Sequence, residues 1–286
     1  SLRHPDYIDS IIEAGKCDLV ALGRQLFAEP EFCNKIAEGR EDELKFCVSC
    51  MHCLTKTKFG PNQPGCTVNP RGRREFCIPR ELNVNGDSLP VAVVGAGPAG
   101  LEAAVTLAKR GFAVTLFDKG DKLGGNINLA SMPIGKYKLG WMIGYYENML
   151  RNLGVTVRLG TTCTPEMLEE LKPYAVFIAT GSVEAIPPLP GIGGEGVIPV
   201  RSYLCERPEI KDSKVIVLGA GQTGLETARM LAVAGNEVTV VDMLPDEIPP
   251  ITDHRLDLNY AREAGVKILM AHKVVRLSLI HISEPT

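Results

Sequence analysis

Apolar positions along the chain fall into short blocks that alternate between continuous runs and a helical repeat. The block at residues 91–94 (VAVV) breaks at glycines. Leu101, Ala104, Val105 and Ala108 then recur at the spacing of one helix face, and the pattern ends near Gly111. A second block, residues 113–117 (AVTLF), delivers an acid, Asp118. The same order of strand, helix and strand returns in SKVIVLGAGQTGLETARMLAVAGNEVTVVDM, which closes on Asp242, and residues 266–270 add a third strand. AVFIATGS, residues 175–182, predicts a buried strand running into a turn at Thr180 and Gly181. TPEMLEELK, residues 164–172, predicts a helix capped by Thr164 with Pro165 at its first position. Residues 137–154 predict an amphipathic helix whose Trp141 and tyrosines serve packing. Strand-length blocks separated by helices imply an α/β fold.

The glycines decide what the two repeated units are for. In the first, Gly95 permits a tight turn, Gly97 lets backbone approach a pyrophosphate, and Gly100 lets the helix pack closely on the sheet; Ala99 belongs to the same turn. Phosphates would sit at the helix N-terminus, and Asp118 would accept from a ribose hydroxyl. In the second unit Gly219, Gly221 and Gly224, with Thr223, repeat the turn, and each acid falls 23 positions after the first glycine of its unit. A lone GxGxxG is a weak signal, but with the strand before, the helix after and the acid beyond, it predicts two Rossmann-like dinucleotide sites. Gly124 and Gly125, in DKLGGNINLA, offer a further close backbone approach, as an extended flavin nucleotide such as FAD requires. In the second unit Asp242 would repel a 2′-phosphate and no Arg follows within a few residues, which favours NADH over NADPH.

At 286 residues there is room for two or three domains, and the net charge of −3 brings no basic run interleaved with aromatics, so nucleic acid and membrane surfaces are not expected partners. The apolar runs are strand-length, and a reducing, cytoplasmic setting is expected. Nothing in the sequence speaks against a homo-oligomer.

CVSCMHC puts Cys47, Cys50 and Cys53 at two-residue gaps, and Cys66 follows after twelve more residues. An odd total of nine cysteines in a long chain argues against a disulfide framework. Four thiolates would suit zinc, although zinc ribbons bring two separated knuckles. Three close thiolates with a remote fourth suit a [4Fe–4S] cluster, and buried cysteines without a ligand are the remaining alternative. His52, inside the loop, is read as solvated or supporting. Cys163 and Cys205 are single, so buried structural thiols are expected there.

CVSCMHC with Cys66, then VVGAGPAG, LGG, IATG and VLGAGQTG, resembles the C-terminal half of the iron–sulfur flavoenzymes related to old yellow enzyme. That group includes 2,4-dienoyl-CoA reductase, 2-enoate reductases, bile-acid-inducible NADH:flavin oxidoreductases and trimethylamine dehydrogenase. The resemblance implies that residues 1–46 end an FMN-binding (β/α)8 barrel. DLVALGRQLFAEPEF would carry its final strand, with Gly23 and Arg24 at the FMN phosphate. IDSIIEAGK and PEFCNKIAEGR would be the flanking barrel helices. Residues 47–80 would form the cluster loop, 88–185 an incomplete FAD domain and 212–277 an incomplete NAD domain, with residues 83–90 and 186–196 as linkers. The chain would then be truncated at both ends, and SLIHISEPT, residues 278–286, would be a non-native tail.

The implied activity is an electron line from NADH to FAD, to the cluster on Cys47, Cys50, Cys53 and Cys66, and on to FMN. It would reduce an activated C=C bond in a small-molecule substrate such as an unsaturated acid or CoA thioester. No catalytic acid, base or nucleophile is assigned. The alternatives are amine oxidation with electrons sent to an external carrier, and a non-catalytic nucleotide-binding module with a zinc knuckle. A glutamate-synthase-like small subunit would lack the barrel-like start.

Overall fold

The computed structural model of the chain describes residues 2–54, 65–245 and 255–278. They form two compact units. The first runs from the start of the chain to Ser131 and takes in Tyr137–Gly181; the second comprises Met132–Lys136 and the residues from Ser182 onward.

The first unit opens with three short helices, α1 (Pro5–Glu13), α2 (Gly23–Ala28) and α3 (Phe32–Ala37), and a 3-10 turn at Glu41–Glu43. Ile8, Phe32 and Leu44 form their own small core, against which Val20, Leu22 and Phe46 pack. The described residues from there to residue 89 are irregular. Then follow β1 (Pro90–Val94), α4 (Pro98–Lys109), β2 (Ala113–Phe117), α5 (Asn126–Ala130), α6 (Trp141–Asn152), β3 (Thr156–Arg158), α7 (Pro165–Leu171) and β4 (Ala175–Ile178). The four strands are parallel in the order β3-β2-β1-β4, with Val91 opposite Val114 on one side and Ala175 on the other. β1 lies between two neighbours, which is why its run is apolar on both faces and Val91, Ala92 and Val93 are buried. Leu101, Ala104 and Val105 of α4 and Met142, Tyr145, Tyr146, Met149 and Leu150 of α6 belong to the same core. Val48 and Val68, from the two sides of the cysteine loop, join it too. Burying each large apolar side chain there contributes roughly 1.5–3 kcal/mol.

The second unit contains α8 (Val200–Glu206), β5 (Lys214–Leu218), α9 (Gln222–Val233), β6 (Glu237–Val241), α10 (Arg255–Glu263) and β7 (Lys267–Leu269). Its strands are parallel in the order β5-β6-β7, repeating the β1-β2-β3 arrangement of the first unit. Val217, Leu225, Ala228, Leu231, Val238 and Val240 form its core.

Residues 18–22 are in no strand; Leu19 is 87% exposed, and α2 begins at Gly23. A strand exists by pairing, and neither sheet among the described residues includes that stretch, so the barrel is not seen. β4 forms where expected but is not buried: it has one neighbour, β1, and Val176, Phe177 and Ile178 are exposed. Cys163, in the loop before α7, is half-buried and Cys205, in α8, is exposed, so neither is a buried core thiol. Of the suspected tail, residues 279–286 lie outside the described residues.

Candidate functional site

In the first unit the glycine turn sits at the carboxyl end of β1, where open α/β sheets take ligands. Gly95 has φ +110°, and its N–H donates to the Phe117 carbonyl at 2.7 Å. A Cβ on Gly100 would lie 1.8 Å from the Gly95 carbonyl oxygen, so the first turn of α4 can press on the glycine turn only without a side chain. A Cβ on Gly97 would meet nothing within 4 Å, and Ala99 beside it is exposed. The space over Gly97 is open on the protein side.

Two further loops converge there. The Gly124 N–H donates to the Ala96 carbonyl at 2.9 Å, and a Cβ on Gly125, which has φ +50°, would come within 3.0 Å of the Gly97 Cα. A Cβ on Gly95 would lie 2.2 Å from the Ala179 carbonyl, placing the Thr180–Gly181 turn against the same edge. Segments more than eighty residues apart in sequence thus frame one backbone-lined surface.

The acids sit differently from the simplest expectation. Asp118 accepts from the Ala96 N–H at 2.5 Å and the Gly120 N–H at 2.7 Å, one bond to each oxygen. Asp242 does the same in the second unit, accepting from the Ala220 N–H at 2.6 Å and the Leu244 N–H at 2.8 Å. Each carboxylate first holds its glycine turn to the end of the second strand, and each oxygen keeps a further lone pair for a hydroxyl. The rest of the second turn also copies the first. Gly219 has φ +101°, Gly221 precedes α9 with nothing within 4 Å of an added Cβ, and a Cβ on Gly224 would lie 2.0 Å from the Gly219 carbonyl oxygen. Thr223 is exposed in the first turn of α9, and its carbonyl accepts from the Thr227 hydroxyl at 2.8 Å.

The cysteines of the first unit come together. Cys47, Cys50, Cys53 and Cys66 line one concavity with Arg24, Met51 and Thr67. Ser49 and Met51 have φ of 56° and 62°, so the CVSCMHC loop bends through the left-handed region at alternate residues. Cys50 Sγ and Thr67 Oγ1 are 3.0 Å apart. Burial pushes the Cys66 thiol up, the backbone N–H groups of Val68 and Asn69 pull it down, and charge on Cys50 and Cys47 raises it further. Among the described residues no group of three or more His, Cys, Asp or Glu side chains is placed to hold a metal ion.

Arg24 turns into this concavity, its Nη1 2.8 Å from Met51 Sδ. Two buried residues that sequence reasoning missed hold the loop from outside. Gln25 Oε1 accepts from the Cys47 N–H at 2.9 Å while its Nε2 donates to the Lys45 carbonyl at 2.9 Å. Arg3 donates from Nη1 to the Cys47 carbonyl and from Nη2 to Ser49 Oγ, both at 2.8 Å. No spacing rule flags partners 22 and 44 residues away. Among the described residues no helix is long and apolar enough to cross a membrane.

Residues 89–279 match the family model for pyridine nucleotide-disulphide oxidoreductases. The chain belongs to that family. The domain implies FAD and NADH binding. Among curated relatives, the NADH oxidase of Thermoanaerobacter brockii is 39% identical over 86% of this chain and 38% of its own length. The cinnamate reductase of Clostridium sporogenes is 35% identical over 86% of this chain and 36% of its own length. Among solved structures, a 2-naphthoyl-CoA reductase in complex with 2-naphthoyl-CoA superposes with a TM-score of 0.87 at 27% identity, over 96% of this chain and 42% of that one. The 6-hydroxypseudooxynicotine amine oxidase of Pseudomonas geniculata gives 0.84 at 27% identity, over 96% of this chain and 44% of that one. This pyridine nucleotide-disulphide oxidoreductase chain therefore spans under half the length of the proteins it resembles here.

Proposed function

We propose that the chain is the electron-input part of a longer iron–sulfur flavoenzyme that reduces an activated C=C bond with NADH. The observation that carries this reading is the gathering of four cysteines around one concavity in the same compact unit as the first glycine turn. FAD is assigned to the first turn, with Gly95, Gly97, Ala99, Gly100 and Asp118 at its adenosine and pyrophosphate, Gly124 and Gly125 alongside, and Thr180 and Gly181 at the edge. NADH is assigned to Gly219, Gly221, Thr223, Gly224 and Asp242. FMN is assigned to the longer enzyme, with Gly23 and Arg24 contributing.

The cysteine donor set fits a [4Fe–4S] cluster. Three closely spaced thiols with a remote fourth, all lining one concavity, suit a cubane better than a zinc ribbon, which brings two separated knuckles. Backbone N–H groups at Val68 and Asn69 already face the Cys66 sulfur, as a thiolate ligand requires. Once bound, these groups supply hydride acceptance from nicotinamide and one-electron transfer onward. The chain's own residues bind and orient them. Likeness to the cinnamate and naphthoyl-CoA reductases supports an unsaturated acid or CoA thioester as substrate. Likeness to an amine oxidase makes amine oxidation the second reading.

The test is iron and acid-labile sulfide analysis of anaerobically reconstituted protein. About four of each per chain are expected, lost in Cys50→Ala; zinc without sulfide would overturn the cluster assignment. In the complete enzyme, NADH consumption driven by cinnamate-type acids or their CoA esters supports C=C reduction, and turnover with amines alone refutes it.

A further inference from the structure

Arg3 lies outside every motif of the sequence and is 4% exposed. Its guanidinium forks onto the cysteine loop at two points, the Cys47 carbonyl and the Ser49 hydroxyl, each at 2.8 Å. Behind it the Trp141 ring lies 5.1 Å from the guanidinium carbon, so the cation is sandwiched between the loop and α6. Cys47 is thereby held on both sides of its backbone, its N–H by Gln25 and its carbonyl by Arg3. Ser49 is one of the two loop residues in the left-handed region, where an L side chain is strained unless something holds it. The Arg3 bond to its hydroxyl supplies such a hold.

A guanidinium in this position adds a charge to a geometric function. A guanidinium carries a fixed positive charge, and this one is nearly dry, so its field reaches the thiolate-lined concavity with little screening. A centre held by four thiolates becomes more negative on reduction, and a fixed cation beside it favours the reduced state.

We propose that Arg3 is a positioning residue for the cysteine loop and that its charge raises the reduction potential of the centre the loop holds; this rests on the cluster reading of the loop. The test uses the full chain, reconstituted anaerobically, as wild type, Arg3→Lys, Arg3→Gln and Ser49→Ala. Iron and sulfide are measured first, then the midpoint potential by EPR-monitored titration, then the rate of iron loss to a chelator.

Arg3→Gln should shift the oxidised-to-reduced ratio at fixed potential toward oxidised on the order of tenfold, about 59 mV for a one-electron couple. Arg3→Lys, which keeps the charge but not the fork, should hold the wild-type potential and release iron several-fold faster. Ser49→Ala should behave like Arg3→Lys. Unchanged potential in Arg3→Gln, or an equal drop in Arg3→Lys, overturns the electrostatic assignment. Should Arg3→Gln assemble no cluster, the positioning function still stands or falls on Ser49→Ala, where an unchanged rate of iron loss overturns it. Absence of iron and sulfide in the wild type itself would sink the cluster reading and this inference with it, and that outcome is separate from any variant.

Discussion

Gly97 and Gly100 stand three residues apart in one turn under opposite constraints. Gly100 is fixed by the protein, because a Cβ there would overlap the Gly95 carbonyl oxygen at 1.8 Å. Gly97 meets nothing, so the constraint on it must come from what binds. Gly100→Ala is expected to destabilise the fold by about 3 kcal/mol, since backbone can yield only by moving α4 off the sheet. Gly97→Ala, at the N-cap of α4, is expected to lower stability by about 1 kcal/mol or less while weakening FAD binding more than tenfold. Urea denaturation of the two variants with and without FAD checks both; equal destabilisation would show that the open space over Gly97 has no ligand to admit.

Helix α2 is only six residues long, yet it anchors the cysteine loop. Gln25, 2% exposed, spans Lys45 and Cys47, and Asn69 donates to the Phe27 carbonyl at 2.9 Å from the other side of the loop. Glu29, at the end of the helix, pairs with Lys35 of α3 at 2.6 Å and accepts from the Lys45 N–H at 3.3 Å. A buried pair with such bonds around it is worth more as a fixed joint than as net stability. Gln25→Leu preserves volume but leaves the Cys47 N–H and the Lys45 carbonyl without this partner, an expected loss of about 2–4 kcal/mol. Denaturation should register that loss, together with faster iron release from reconstituted protein. Wild-type behaviour in both would mean that α2 does not hold the loop.

Each unit of the molecule has its own core, and Trp141, the one tryptophan of the chain, lies in the first. In the second unit Glu226 of α9 pairs with Lys136, but burial outweighs that pairing and pushes its carboxyl above the ordinary range. Folding therefore favours protonated Glu226. The stability this lends is complete below the ordinary carboxylate pKa of about 4.3 and declines as pH rises through the raised value. The thermal transition followed by circular dichroism should weaken across that window while the Trp141 fluorescence transition does not follow this component, and Glu226→Gln should remove the slope. A slope that persists in Glu226→Gln would assign the pH dependence to another group.

Both glycine turns were legible from residues, because strand, glycine turn, helix and acid are local to one another along the chain. The carboxylates were legible as acids but not as clasps on Ala96 and Ala220, since a side-chain direction depends on what the neighbouring turn leaves unpaired. AVFI announced a strand, but only the sheet order made it an edge with exposed side chains. The apolar run before Gly23 announced a strand too, and without a pairing neighbour it is not one among the described residues. By itself the sequence determined the α/β class and the two glycine turns, which are written in short-range spacing, and it singled out the four cysteines. Only the tertiary structure decided that Arg3 and Gln25 hold the CVSCMHC loop, because those contacts join residues whose separation along the chain carries no periodic signal.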